Sequence, residues 1–451
     1  MLVGSGIHAL CAPSAVKGIE AVVWGIQNMN TTLRRPRDFR IDFFRGLALI
    51  CIFIDHVPGN RLAFLTLRNF GLSDAAELFV LLAGLSAALA YGDTFERGGW
   101  TTGLGRIRRR IAELYVAHLL LFAVCIGGLA GIARIFENPV YFAYINLDPF
   151  SHDPFGAIWR ALVLLHQPAY LNILPLYMLL LGWFCVLFAL ARVHAVLALL
   201  ASAGLWAIAH STGFNLPSYP DAFGWYFNPF AWQLLFSVGV LAGLAHRAGA
   251  TVRRSPWLCG VAITYLLFAF LIAEPWTAIP GWHEYDLVLD DLIGPISKQN
   301  LSPWRLAHIL AFAYLSAVVI PASARWLRHP CFAWVINLGR NALDVFCVGT
   351  VLSLLGFIVF VEFGDGIVAQ VAVNVGGLIS MVLIAWWAGE RRRTKPAALI
   401  AGPYAPSAAV AGPCTQDGPP PTLAANTAPT ATLTAGRVHA PTRCRGVVIS
   451  P

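Results

Sequence analysis

About ten nearly continuous apolar runs, each close to 20 residues long, recur between residues 41 and 388. Runs of that length match the hydrocarbon layer of a bilayer. Inside that layer the backbone can satisfy its own polar groups only as a helix or a closed barrel. The runs are continuous rather than alternating, which excludes the barrel and leaves helices. The expected spans lie near 41–58, 73–91, 111–134, 170–190, 194–210, 229–246, 256–273, 304–323, 337–361 and 366–388. Only 12% of the 451 residues are charged against 58% hydrophobic, about half the charge of a soluble domain. The expected fold class is all-α, a polytopic transmembrane helix bundle.

Lys and Arg set the orientation. They gather in alternate connections: Arg97 and Arg106 to Arg110, then Arg192, then Arg247, Arg253 and Arg254, then Arg325, Arg328 and Arg340, and finally Arg391 to Arg393. The intervening connections are acidic or neutral, apart from Arg61 and Arg68 in the first. Positive-inside topology then places both termini in the cytoplasm. The same clustering assigns the net charge of +8 to topology rather than to nucleic acid. The nine cysteines, odd in number and mostly inside apolar segments, read as small buried hydrophobes. Residues 1–38 read as an N-terminal cytoplasmic extension without the pattern of a cleaved signal peptide. Residues 39–390 form the transmembrane domain. Residues 391–451 form a cytoplasmic tail whose Ala, Pro, Thr and Gly composition predicts disorder.

The first span is the polar one. Asp42, Arg45, Leu49, Ile52 and His56 follow steps of three and four, so they share one helix face. Arg45 and His56 lie three turns apart, roughly 16 Å along the axis. Ionisable groups at membrane depth cost several kcal/mol unless paired or facing water, so such a stripe lines a site. His56, with Asp55 before it, has the chemistry of a general base; the plain alternative is an interfacial histidine capping the helix. Arg45, Arg106 and Arg109 near the inner ends suit phosphate, although Arg106 and Arg109 serve equally as topology anchors. Asp74 and Glu77 open the second span. Asp74 reads as a helix-dipole partner, while the deeper Glu77 is placed to orient a cation or a histidine. Asn172, Tyr177, Asn228, Trp232 and Gln233 sit at outer helix ends, where an aromatic belt and a sugar-stacking surface are equally served. No metal motif, P-loop, redox dithiol or lipase motif occurs.

Arg45, ten residues and His56 resemble the R-x10-H signature in the first membrane helix of the acyltransferase-3 superfamily of integral membrane O-acyltransferases. ELFVLLAG (77–84) is similar to its second-helix FFxxSG segment, with Ala83 in place of Ser, and Arg106 to Arg109 to its RxxR element. RIDFFRGLALICIFIDHVPGN, TLRNFGLSDAAELFV, YLNILPLYMLLL, YFNPFAWQLLF and LGRNALDVFC resemble the OpgC branch, which succinylates osmoregulated periplasmic glucans. Asn172 stands where that branch is expected to carry Asp.

The resemblance implies a multi-pass inner-membrane enzyme with no permanently bound cofactor. Its donor substrate would be an acyl-CoA, with succinyl-CoA expected, and its acceptor a hydroxyl of a periplasmic glucan. Arg45, Arg106 and Arg109 would bind the donor, and Asn172, Tyr177, Asn228, Trp232 and Gln233 the acceptor. His56 would be the base, steadied by Asp55 or Glu77. Glucan-synthesis proteins are the expected partners. Three other readings stand beside this one: an O-acetyltransferase of another envelope glycan, a transporter or flippase using the buried Arg, Asp and His, and a structural partner of a glucan synthase.

Overall fold

The computed structural model describes residues 37–394, apart from 139, 142–146, 148, 151–152, 221–222 and 279–295. The extension up to residue 36, the tail from residue 395 and most of the connection 274–303 lie outside the described residues. Within them the chain is a bundle of α-helices. Seven are long and apolar enough to cross a membrane.

The polar helix is α1 (Phe39–Asp55), capped by the Asp38 side chain on the Arg40 N–H. At 17 residues it is at the lower limit for a crossing. The second element, α2 (Ala75–Phe136), covers the second and third expected spans and breaks at Gly99, whose φ of 75° and ψ of 175° suit glycine alone. The chain reverses there. Arg106 hydrogen-bonds Thr94 and lies over the Tyr91 ring, and the Phe95 ring closes on Gly103. These pairs straddle Gly99, so the two halves form a helical hairpin.

There follow α3 (Pro154–Leu162), α4 (Ile173–Val193), α5 (Ala195–Thr212), α6 (Pro229–Ala248), α7 (Pro256–Ala273) and α8 (Pro303–Val319). After a 3-10 turn at Arg325–Arg328 come α9 (Pro330–Arg340), α10 (Ala342–Phe363) and α11 (Ile367–Thr394). Proline opens α3, α6, α7, α8 and α9, each behind a capping side chain. That position needs no backbone N–H and favours the ring's fixed φ. The expected span at 337–361 is divided instead, with Asn341 ending α9 and preceding α10. Its Nδ2 donates to the Asn337 carbonyl at 3.0 Å and to the Ala385 carbonyl at 2.9 Å, so this amide ties the break to α11.

Glycines let two helix pairs touch backbone to backbone. A Cβ on Gly84 of α2 would strike the Phe236 carbonyl of α6, and one on Gly239 of α6 would strike the Leu81 carbonyl. Gly46 of α1 and Gly339 of α9 meet in the same way. In a bilayer, where lipid is as apolar as leucine, such close packing is a main source of helix association. The faces of α7 and α11 carry exposed apolar residues such as Leu267, Val368 and Trp386, as lipid-facing helices do.

Candidate active site

Two polar cavities lie within the bundle. The larger, about 920 Å³ and called the outer chamber after the expected orientation (the smaller being the inner one), takes its wall from the C-terminal end of α1 (Ile52, Asp55, His56), the start of α2 (Asp74, Ala75, Ala76), Tyr170, Asn172 and Ile173, and Lys298, Gln299 and Arg305. The smaller, about 470 Å³, is lined by Arg45, Ser86, Tyr91, Arg110, Glu113, Tyr177, Arg340 and Arg392. Arg45 and His56, three turns apart on one helix, therefore open into different chambers. Ile173 and Phe346 belong to both walls.

His56 caps the C-terminus of α1, its N–H reaching the Ile52 carbonyl. The imidazole packs on Tyr170, ring centroids 4.3 Å apart. Its Nδ1 is buried with no hydrogen-bond partner among the described residues. The Asp55 carboxylate lines the same chamber, but it accepts the Thr66 hydroxyl at 2.6 Å rather than touching the imidazole.

Across the chamber, Asp74 and Glu77 form a capping box on α2: Asp74 accepts the Ala76 N–H at 2.8 Å and Glu77 accepts the Asp74 N–H at 2.9 Å. Both also hold cations. Lys298 Nζ meets Asp74 at 2.5 Å, and Arg305 meets Asp74 at 3.1 Å and Glu77 at 2.6 Å. Burial pulls the Lys298 ammonium down, and the Asp74 and Glu77 carboxylates more than offset it, holding its pKa above the usual lysine range. Glu77 is fully buried and bound to Arg305, so of the two expected contacts, to a cation or to a histidine, it makes the one to a cation. Arg68, in the same chamber wall, is exposed and makes no ion pair with the described residues.

The expected acceptor residues divide. Asn172 lines the outer chamber, whereas Tyr177, just over one turn further along α4, lines the inner one. Asn228, Trp232 and Gln233 line neither. Asn228 caps α6 and donates to Asn300 Oδ1 at 2.9 Å. Trp232, completely buried, donates from Nε1 to the Lys298 and Gln299 carbonyls, each at 3.1 Å. Gln233 donates to the Ser202 carbonyl at 2.7 Å. Asn228 and Trp232 carry the loop that presents Lys298 and so shape the chamber from behind, whereas Gln233 ties α6 to α5.

The inner chamber is basic. Arg45 has no ion pair with the described residues, because Asp42 is taken by Arg37 at 2.7 Å and Arg340 at 3.5 Å. Arg110 pairs with Glu113 at 3.1 Å and Arg392 with Asp344 at 2.9 Å. Arg106 is held against Thr94 and the Tyr91 ring and does not line the chamber. Arg109 points away, its side chain 82% exposed and paired with Glu113. The guanidinium beside it in sequence, Arg110, is the one in the wall. Ser86, also in the wall, has a buried Oγ with no partner among the described residues. Among those residues no group of three or more His, Cys, Asp or Glu side chains is placed to hold a metal.

The fold and the site define a multi-pass α-helical membrane protein with a polar reaction space inside the bundle. A model of one protein family, described as OpgC protein, matches residues 37–393. The chain belongs to that family, which makes it an OpgC-like acyltransferase of glucan modification. No curated protein and no solved structure gives a match.

Proposed function

We propose that the protein carries an acyl group, succinyl in the reading favoured here, from acyl-CoA on the cytoplasmic side to a hydroxyl of a periplasmic glucan. The observation behind this reading is the pair of chambers: a basic one at Arg45 and a histidine-bearing one at His56, back to back across Ile173 and Phe346. In this reading the bundle crosses the inner membrane about ten times with both termini in the cytoplasm, counting α1 and α8 among the crossings. The basic chamber then opens inward, where CoA thioesters are found, and the His56 chamber opens toward the glucan.

The dimensions agree. From the innermost phosphorus of CoA to the thioester carbon is about fourteen bonds, the equivalent of four to five extended residues, or roughly 16 Å. Arg45 and His56 are separated by the same rise along α1. Arg45, Arg110, Arg340 and Arg392 would grip the phosphates. Ser86 and Tyr177 offer hydroxyls to the amides of the pantetheine arm, which would otherwise lie in an apolar shaft.

His56 Nε2 accepts the proton of the glucan hydroxyl as its oxygen attacks the thioester carbonyl. The tetrahedral intermediate collapses with loss of the C–S bond, and the CoA thiolate takes up the proton. Asp55, in the same wall, supplies negative charge near the imidazolium that forms between these steps. Asn172 and the aromatic rings of the chamber, Tyr170 among them, provide hydrogen bonding and stacking for sugar. The test is mass spectrometry of periplasmic glucans from cells with and without the gene. Loss of succinyl substituents, restored by the wild-type gene and not by His56→Ala, is the expected result; unchanged substitution refutes the reading.

A further inference from the structure

Two helices contribute to both chambers in turn along their length. On α1, Ile52 faces the outer chamber and Arg45 the inner; on α2, Ala76 faces the outer and Phe79 the inner. Ile173, the first residue of α4, and Phe346, in the second turn of α10, stand in both walls. Both are buried, 8% and 3% exposed. No polar residue lines both chambers. The residues shared by the two chambers are therefore two large apolar side chains, neither of which carries a hydrogen-bonding group.

We propose that Ile173 and Phe346 form an apolar gate that the thioester end of the donor must enter, and that their side chains limit the width of the acyl group delivered to His56. This rests on the acyl-CoA reading above. An apolar constriction resists wetting, so the gate keeps the two aqueous ends apart until the slim arm of the donor fills it. Once filled, the thioester is shielded from hydrolysis while its carbonyl faces the acceptor. The acyl group passes first, so a group broader than the gap between the Phe346 ring and the Ile173 side chain is excluded. Differences of one methylene in such a pocket change rates by about 10-fold to 200-fold.

The full-length protein in nanodiscs, open to solution on both faces, is given acetyl-CoA or benzoyl-CoA with a β-glucan oligosaccharide, and products are counted by mass spectrometry. Phe346→Ala should raise the benzoyl-to-acetyl product ratio roughly 10-fold or more, and Ile173→Ala should raise it less. Phe346→Trp should depress transfer from both donors while CoA binding, read by calorimetry, stays at the wild-type value. If Phe346→Ala fails to fold, Phe346→Leu takes its place with the same direction of change. An unchanged ratio in the folded Phe346 and Ile173 variants, with wild-type transfer still abolished by His56→Ala, overturns the gate and spares the acyl-CoA reading. Absence of transfer from any CoA thioester by the wild type removes both.

Discussion

Glu77 is the residue whose role the structure most changes, and its replacement can be worked through in numbers. Its carboxylate receives the Arg305 guanidinium at 2.6 Å and the Asp74 N–H at 2.9 Å, and the residue is completely buried. Glu77→Ala removes both at once, leaving Asp74 alone to compensate Lys298 and Arg305. Breaking one end of a buried ion pair costs about 3–5 kcal/mol. Glu77→Gln keeps an acceptor for only one of the two donors, because the Asp74 N–H and the Arg305 guanidinium bond different carboxylate oxygens, and it turns an amide NH2 toward the other, a loss of about 1–3 kcal/mol. Unfolding of the purified protein in mixed micelles should therefore order the three proteins as wild type, Gln and Ala. Pairing Glu77→Leu with Arg305→Met should recover part of the loss, because the apolar pair leaves no uncompensated charge. Activity per folded molecule decides between the structural and the chemical role. Full stability in Glu77→Gln together with transfer lowered more than about 100-fold would make Glu77 part of the chemistry and refute the present assignment.

His56→Ala and His56→Gln should each lower glucan acylation by about 10²–10⁴-fold with CoA binding retained, since His56 lies in the chamber away from Arg45; near-wild-type rates in both would leave His56 as a helix cap. Arg45→Lys should bind CoA weakly, because an ammonium cannot reproduce the two-pronged grip of a guanidinium on phosphate, and calorimetry showing wild-type affinity would remove that contact. Arg110→Ala should weaken CoA binding while Arg109→Ala should not, as only the former lines the inner chamber; equal effects would show that the chamber is not the nucleotide site. Gly84→Leu should abolish a folded product, judged by size exclusion in detergent, because its side chain would strike the Phe236 backbone.

How much was legible follows from which signals are local. Apolar run length and the placement of arginines are properties of short segments, and helices appear near the expected positions apart from 337–361, which Asn341 divides. The three-turn face shared by Arg45 and His56 is equally local, being set by helix geometry alone. Which way a polar residue at a helix start turns is decided by a neighbour far away in sequence. Asn228, Trp232 and Gln233 had the composition of a sugar site, yet they turn to Asn300, to the carbonyls of Lys298 and Gln299, and to Ser202. Arg109 and Arg110 differ by one step of about 100° around a helix, and nothing in the RIRRR run says which of them a later helix will face.

One cation of the outer chamber did leave a trace, because the first outer connection is the one whose basic residues no acidic residue accompanies. The first outer connection holds Arg61 and Arg68, against the positive-inside pattern. Topology cannot account for them, so a local use must. Arg61 finds Asp365 at 3.7 Å, a rim pair. Arg68 finds no such partner among the described residues and stands in the wall with His56. Lys298 and Arg305, by contrast, are neutralised by Asp74 and Glu77, which fixes them as framework. Among the described residues, the outer chamber wall thus holds one guanidinium without an ion pair, Arg68, in the same wall as His56. If the acyl group is a dicarboxylic half-ester, its free carboxylate needs a cation within reach of the reaction centre, and Arg68 is the residue with that capacity to spare. Arg68→Gln should therefore lower transfer of succinyl more than of acetyl in the reconstituted assay. An equal loss for both donors would assign Arg68 to the glucan instead.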